Sequence, residues 1–126
     1  MKRLSFLIAL CTLPVLAFAA DKVKDVDAEK AAKLIADGKV TVLDVRSEDE
    51  FKEGHIKGAT NADVLENDFA KKLESIDKTK PVLVHCQAGG RSTRSLPKLE
   101  QAGFTEIYHL KSGMAGWIEA GKPVEK

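Results

Sequence analysis

The chain has 126 residues, 20 Lys and Arg against 19 Asp and Glu, a formal net charge of +1, and a hydrophobic share of 44%. That length suits one domain with one core. A charge balance without a clustered basic excess excludes the electrostatic footprint of nucleic-acid or acidic-membrane binding.

The chain opens with Lys2 and Arg3, an apolar run from Leu4 to Phe18, and the small-residue pattern Ala17-Phe18-Ala19. The run is shorter than the roughly 20 residues that span a bilayer, so the pattern reads as a secretory signal cleaved before Ala20. Residues 1–19 are therefore expected to be a signal peptide and residues 20–126 a folded periplasmic domain, off the membrane after cleavage. Removing 19 residues from 126 leaves 107, and two basic residues leave with the signal, so the remainder has a net charge of −1. Of the two cysteines, Cys11 departs with the signal and Cys86 is left alone in a compartment where thiols are usually paired. Such a thiol is either a small apolar filler or a reactive group.

Asp27 is placed to cap a helix over about 28–37, with Glu29 in the first turn, Ala31, Leu34 and Ile35 at helical spacing, and Gly38 as the stop. Val40-Thr41-Val42-Leu43 follows as a short β-branched strand that ends in the polar Asp44-Val45-Arg46. Ser47 with Glu50 gives a capped turn, and Gly54 to Ala59 form a loop toward a short extended piece. A helix is predicted over 66–75, with Phe69, Ala70 and Leu73 on one face. Pro81 introduces Val82-Leu83-Val84, a continuous apolar run of the kind found in a central parallel strand covered on both faces. A glycine-rich turn from Gln87 to Gly90, a helix over 91–102, the turn at Gly103 and a last strand through Ile107, Tyr108 and Leu110 complete the order. Pro97 lies well inside that helix, where it removes a backbone hydrogen bond, so a kink or a late helix start is expected. Strands alternating with helices specify an α/β fold with a mostly parallel central sheet flanked by helices, whose ligands bind beyond the C-terminal strand ends.

Cys86 sits at one such end, in His85-Cys86-Gln87-Ala88-Gly89-Gly90-Arg91-Ser92. Loop amides and the positive end of the following helix favour thiolate over thiol there, Gly89 and Gly90 let the backbone curl around the sulfur, and Arg91, with Arg94 one turn on, adds positive charge. An apolar filler needs none of this, so Cys86 is read as a nucleophile. His85 leaves the strand on the opposite face and is read as a structural hydrogen-bonding residue. Asp44, Arg46 and His55 are read as hydrogen-bonded scaffold, because polar groups buried at a strand end must be satisfied.

These motifs resemble the rhodanese family over nearly the whole mature chain. Leu43 to Arg46, Glu50-Phe51, Gly54 to Ala59 and Asn61 are similar to its N-terminal signature, Cys86 to Arg91 to its active-site loop, and Gly113-Met114-Ala115-Gly116-Trp117 to its C-terminal signature. The resemblance implies a three-layer sandwich in which Trp117 packs near the loop. It also implies a persulfide on Cys86, with Gln87, Ala88, Gly89, Gly90, Arg91 and Ser92 binding a small sulfur-containing anion. Sulfur would pass from this thiosulfate-type donor to a thiol or cyanide, with a thiol-redox protein as a further partner and no metal or organic cofactor. Thiosulfate-specialised members carry cations just after the cysteine, where this chain has the uncharged Gln87 and Ala88. The rival readings are a non-catalytic sulfur carrier or redox module, and a cysteine phosphatase or arsenate reductase. Against the second, phosphatases place five residues between cysteine and arginine, whereas Gln87 to Gly90 are four.

Overall fold

The computed structural model describes residues 22–126; the expected signal segment and its Cys11 lie outside the described residues. Five strands, β1 (Val23–Val26), β2 (Thr41–Asp44), β3 (Thr60–Asn61), β4 (Val82–His85) and β5 (Ile107–Leu110), alternate with five helices. The helices are α1 (Ala28–Ala36), α2 (Glu48–Glu53), α3 (Phe69–Leu73), α4 (Gly90–Ala102) and α5 (Gly113–Glu119). All strand pairs are parallel, in the order β1-β5-β4-β2-β3. The α/β sandwich with a parallel sheet is thus as the sequence predicts, and no described helix is long and apolar enough to cross a membrane.

Two-residue alternation along the strands builds two cores. On one face Leu43, Val84, Cys86 and Ile107 pack with Phe69 and Leu73 of α3 and Leu99 of α4. On the other, Val42, Leu83 and Leu110 pack with Ala31 and Leu34 of α1 and Met114 and Trp117 of α5. The middle strand β4 is buried at every residue, which is why its sequence is a continuous apolar run. Each fully buried Leu or Val on it contributes about 1.5–3 kcal/mol of apolar burial.

Local signals decide most boundaries. Asp27 caps α1 by accepting from the Lys30 amide at 2.8 Å. Ser47 and Glu50 form a reciprocal capping box at the start of α2. Elsewhere the fold departs from expectation. The helix predicted over 66–75 shrinks to Phe69–Leu73, because Asp63 accepts from the Leu65 amide through its side chain and from the Glu66 amide through its carbonyl, making turns instead of helix. α4 starts at Gly90 and runs through Pro97, so no late start occurs. Two elements escape the sequence pattern altogether. β1 is an edge strand with both central residues, Lys24 and Asp25, exposed, so its apolar signal is weak. α5 contains Gly113 and Gly116 and has no side-chain cap, so no helix-start signal announces it.

Candidate active site

The parallel order puts the C-terminal ends of β2 and β4 side by side, with Asp44 opposite His85. Cys86 follows at once, 1% exposed and free of disulfide. Its Sγ accepts from the Gly89 amide at 3.1 Å and lies 3.3 Å from the Ser92 hydroxyl. Burial is the largest influence on its ionisation and opposes it. The Ser92 hydroxyl and the amides of Ser92, Ala88 and Gly89 together outweigh burial and hold the thiol below its ordinary value. The loop therefore favours the nucleophilic thiolate.

Two glycines make this cradle possible. Gly89 has φ +101, and a Cβ there would stand 2.5 Å from the Lys111 carbonyl oxygen. Gly113 has φ +64, and its Cβ would stand 2.5 Å from the carbonyl oxygens of both Cys86 and Gln87. That close approach has a purpose. The Met114 amide donates to the Cys86 carbonyl at 2.9 Å and the Ala115 amide to the Gln87 carbonyl at 3.1 Å. With those carbonyls turned toward α5, the loop amides are left to face the sulfur. α5 thus touches the loop through its backbone, while Trp117 packs in the core on the opposite face from Cys86 and donates to the Pro123 carbonyl at 2.9 Å.

Cys86, Gln87, Ala88, Gly90, Arg91 and Arg94 line an open cavity of about 290 Å³. Ser92 and Gly89, read from the sequence as substrate-binding, lie beneath it. Ser92 is fully buried, and its hydroxyl contacts Sγ, the Gly89 carbonyl and His109. Arg91 is not a free cation over the sulfur either. It grips Glu50 with two bonds, Nη1 to Oε1 at 2.5 Å and Nη2 to Oε2 at 3.0 Å. The Arg91 guanidinium, helped by Ser47 and opposed by burial, pulls the Glu50 carboxyl down to about 2. Glu50 therefore ties its own capping box to the active-site loop. Arg94 is exposed on the cavity rim and makes no ion pair among the described residues.

Beside this loop lies a buried pair. Asp44 accepts from the Arg46 backbone amide and Nε at 3.0 Å each and from Nη2 at 2.7 Å, and Arg46 also donates to the Gly54 carbonyl at 2.7 Å and to Gln87 Oε1 at 3.4 Å. Asn61 donates to the carbonyls of Asp44 and Arg46. His85 Nδ1 faces the Cys86 carbonyl at 2.9 Å, so that nitrogen carries the proton; Nε2 has no hydrogen-bond partner, and burial holds the ring neutral. His55 stacks on Phe51 with centroids 3.8 Å apart and bonds the Phe51 carbonyl. These residues hold the strand ends and the loop in place. Sequence reasoning missed two others: Asp25, because β1 has no legible strand pattern, and His109, because its partners Ser92 and Asp25 are distant in sequence. Among the described residues no cluster of His, Cys, Asp and Glu is arranged to hold a metal ion.

The rhodanese-like domain family matches residues 27–120. A tRNA uridine(34) hydroxylase of Pelagibacter ubique is 36% identical over 101 residues, covering 79% of this chain and 34% of that protein, so the chain spans about a third of its length. Thiosulfate sulfurtransferase 16, chloroplastic, of Arabidopsis thaliana is 32% identical over 93 residues, covering 66% of this chain and 78% of that protein. The crystal structure of a rhodanese-related protein from Thermoplasma volcanium superposes with a TM-score of 0.71 at 28% identity, covering 81% of this chain and 97% of that one. With the loop, the parallel sheet and the match in agreement, the chain belongs to the rhodanese family of sulfur-transfer domains.

Proposed function

We propose that the protein is an exported sulfurtransferase, carrying sulfur on Cys86 between a thiosulfate-type anion and a thiol or cyanide. The observation that carries this reading is the position of Cys86 Sγ. It lies under an open cavity with Arg94 on its rim, and hydrogen bonds from Gly89 and Ser92 favour its ionised form. The thiolate attacks the outer sulfur of the donor, a new S–S bond forms, and the donor's own S–S bond breaks with its electron pair leaving on sulfite. The amides that held the thiolate are placed to hold the terminal sulfur anion of the persulfide. An acceptor thiolate or cyanide then takes that terminal sulfur, and the Cys86 thiolate is released. Arg94 supplies, one helical turn along, the cation that Gln87 and Ala88 lack. A cation at Gln87 itself would sit against the Arg46 guanidinium, which already donates to the Gln87 side chain.

Intact mass after thiosulfate treatment is the test. The protein should gain one sulfur atom, lose it to cyanide, and gain none as Cys86→Ser. Sulfur uptake by Cys86→Ser would overturn the assignment. Loading without multiple turnover on small acceptors would replace the enzyme reading with that of a carrier serving a protein partner. N-terminal sequencing of the exported protein tests the periplasmic reading, with Ala20 expected and retained Met1 overturning it.

A further inference from the structure

His109 is a buried titratable group that the sulfur-transfer chemistry above does not use. It lies on β5, opposite Asp25 of the edge strand β1 and flanked on its other side by Val84 of β4. Its Nε2 is 2.8 Å from the Ser92 hydroxyl, and its Nδ1 is 3.3 Å from Asp25 Oδ1. The Ser92 hydroxyl is in turn 3.3 Å from Cys86 Sγ. An unbroken chain therefore links the reactive sulfur to Asp25, whose side chain is 62% exposed.

We infer that His109 accepts the Cys86 proton through the Ser92 hydroxyl, with Asp25 steadying the imidazolium that results. Donor and acceptor chemistry fixes the direction. A carboxylate only accepts, so Nδ1 carries the ring's proton toward Asp25, and Nε2 of the neutral ring is left as an acceptor. Ser92 then donates its proton to Nε2 and offers a lone pair to the Cys86 S–H. In the transfer, the cysteine proton moves to Ser92 Oγ as the serine proton moves to Nε2. The product is a thiolate and an imidazolium, with no net charge gained and no electron transferred. Ser92 afterwards donates to the thiolate, alongside the Gly89 amide. The Gly89 carbonyl, 3.1 Å from Ser92 Oγ, is the competing acceptor for the hydroxyl proton. On this assignment Ser92 touches the reacting sulfur, while His109 and Asp25 are positioning residues that act through it.

The surroundings suit a base that charges only when its partner does. Burial, the largest influence, pushes His109 toward neutrality; Asp25 favours the charged ring and Lys111 opposes it. Val84, beside it on β4, is apolar, and Ser92, which meets its Nε2, is uncharged. The ring is thus neutral when the thiol is intact, and an anion on Cys86 raises its affinity for a proton.

The inference rests on Cys86 being the nucleophile but not on any sulfur donor, so it is tested by alkylation. The rate of iodoacetamide reaction against pH should give a midpoint about one unit higher in Ser92→Ala and His109→Asn, about tenfold less reactive thiol below the midpoint. Ser92→Thr, which keeps the hydroxyl, should restore the wild-type midpoint. Asp25→Asn decides between a relay and simple charge. Removing a negative charge near a thiolate lowers its midpoint by direct electrostatics, whereas weakening the imidazolium raises it, here by about two- to threefold in rate. A lowered midpoint in Asp25→Asn, or a wild-type midpoint in His109→Asn, would overturn the inference. Should His109→Asn fail to fold, NMR titration of the wild-type His109 ring nitrogens replaces it. They should titrate at higher pH than in Cys86→Ser, and equal titration would refute the relay. Failure of sulfur loading with an intact alkylation profile would sink the proposed function alone.

Discussion

Two buried polar clusters lie on opposite faces of one sheet, and they differ in what their protons can do. On the α1/α5 face, Asp44, Arg46 and Asn61 form a closed set in which the carboxylate is filled by one guanidinium and one amide, and His85 beside them keeps an unpartnered Nε2. That Nε2 stands 3.6 Å from Asp44 Oδ2, an oxygen already held by Arg46, and makes no hydrogen bond to it. On the α3/α4 face, Cys86, Ser92, His109 and Asp25 form an open line, each member both donor and acceptor except the last, which ends in solvent. Burial of charge alone therefore does not mark reactivity in this fold. A saturated pair fixes geometry, whereas a chain with one movable proton per link adjusts acidity.

The largest test of the contrast removes the closed set's carboxylate. Asp44→Ala leaves Arg46 buried and unpaired, which should cost about 3–5 kcal/mol of stability in urea unfolding. If the cost is below about 1 kcal/mol, the set is not the rigid frame described. Next comes the seat of the open line. Gly113→Ala places a Cβ on two backbone carbonyls at positive φ, so it should cost about 2–4 kcal/mol and raise the thiol midpoint as the loop amides turn away. Stability lost with the midpoint unchanged would separate α5 from the cradle.

A smaller effect concerns the bridge between α2 and the loop. Glu50 is held at about 2 against an ordinary 4.5, so its stabilisation is present above pH 4.5 and is lost as pH falls from there toward 2. Because both Glu50 and Arg91 are partly open to water, screening reduces the pair to about 1 kcal/mol. The stability difference between wild type and Glu50→Gln should therefore be about 1 kcal/mol at pH 6 and vanish near pH 2, measured by urea unfolding. A difference that persists at pH 2 would mean the pair contributes packing rather than charge. The smallest expected effect is the sharpest contrast. His85→Gln, on the closed side, should leave the alkylation midpoint of Cys86 within about 0.3 units of wild type, well under the one-unit shift expected of His109→Asn. A full-unit shift would show that the closed set also controls the thiol.

The alternation of elements, the central strand before Cys86, the capping box of Ser47 and Glu50, and the glycine-rich turn that places an anion cradle at a helix start are all legible in the residues alone. Each of these depends on residues within a few positions of one another, where steric and hydrogen-bonding rules act locally. Gly113 is legible as part of a motif, but its reason, the approach to the Cys86 and Gln87 carbonyls, is a contact between distant segments. The same holds for Arg91, whose bidentate grip on Glu50 joins it to a distant helix while it still lines the cavity and feels the Cys86 charge. Asp25 is hidden because a half-exposed edge strand leaves almost no apolar period, and His109, on the predicted last strand, because its partners Ser92 and Asp25 come from distant segments. Only the strand order β1-β5-β4, which brings Asp25 opposite His109 and both beside the Cys86 strand, created that line. Strand order is chosen by burying apolar surface on both faces of the whole sheet at once, a global sum that no short stretch of sequence contains.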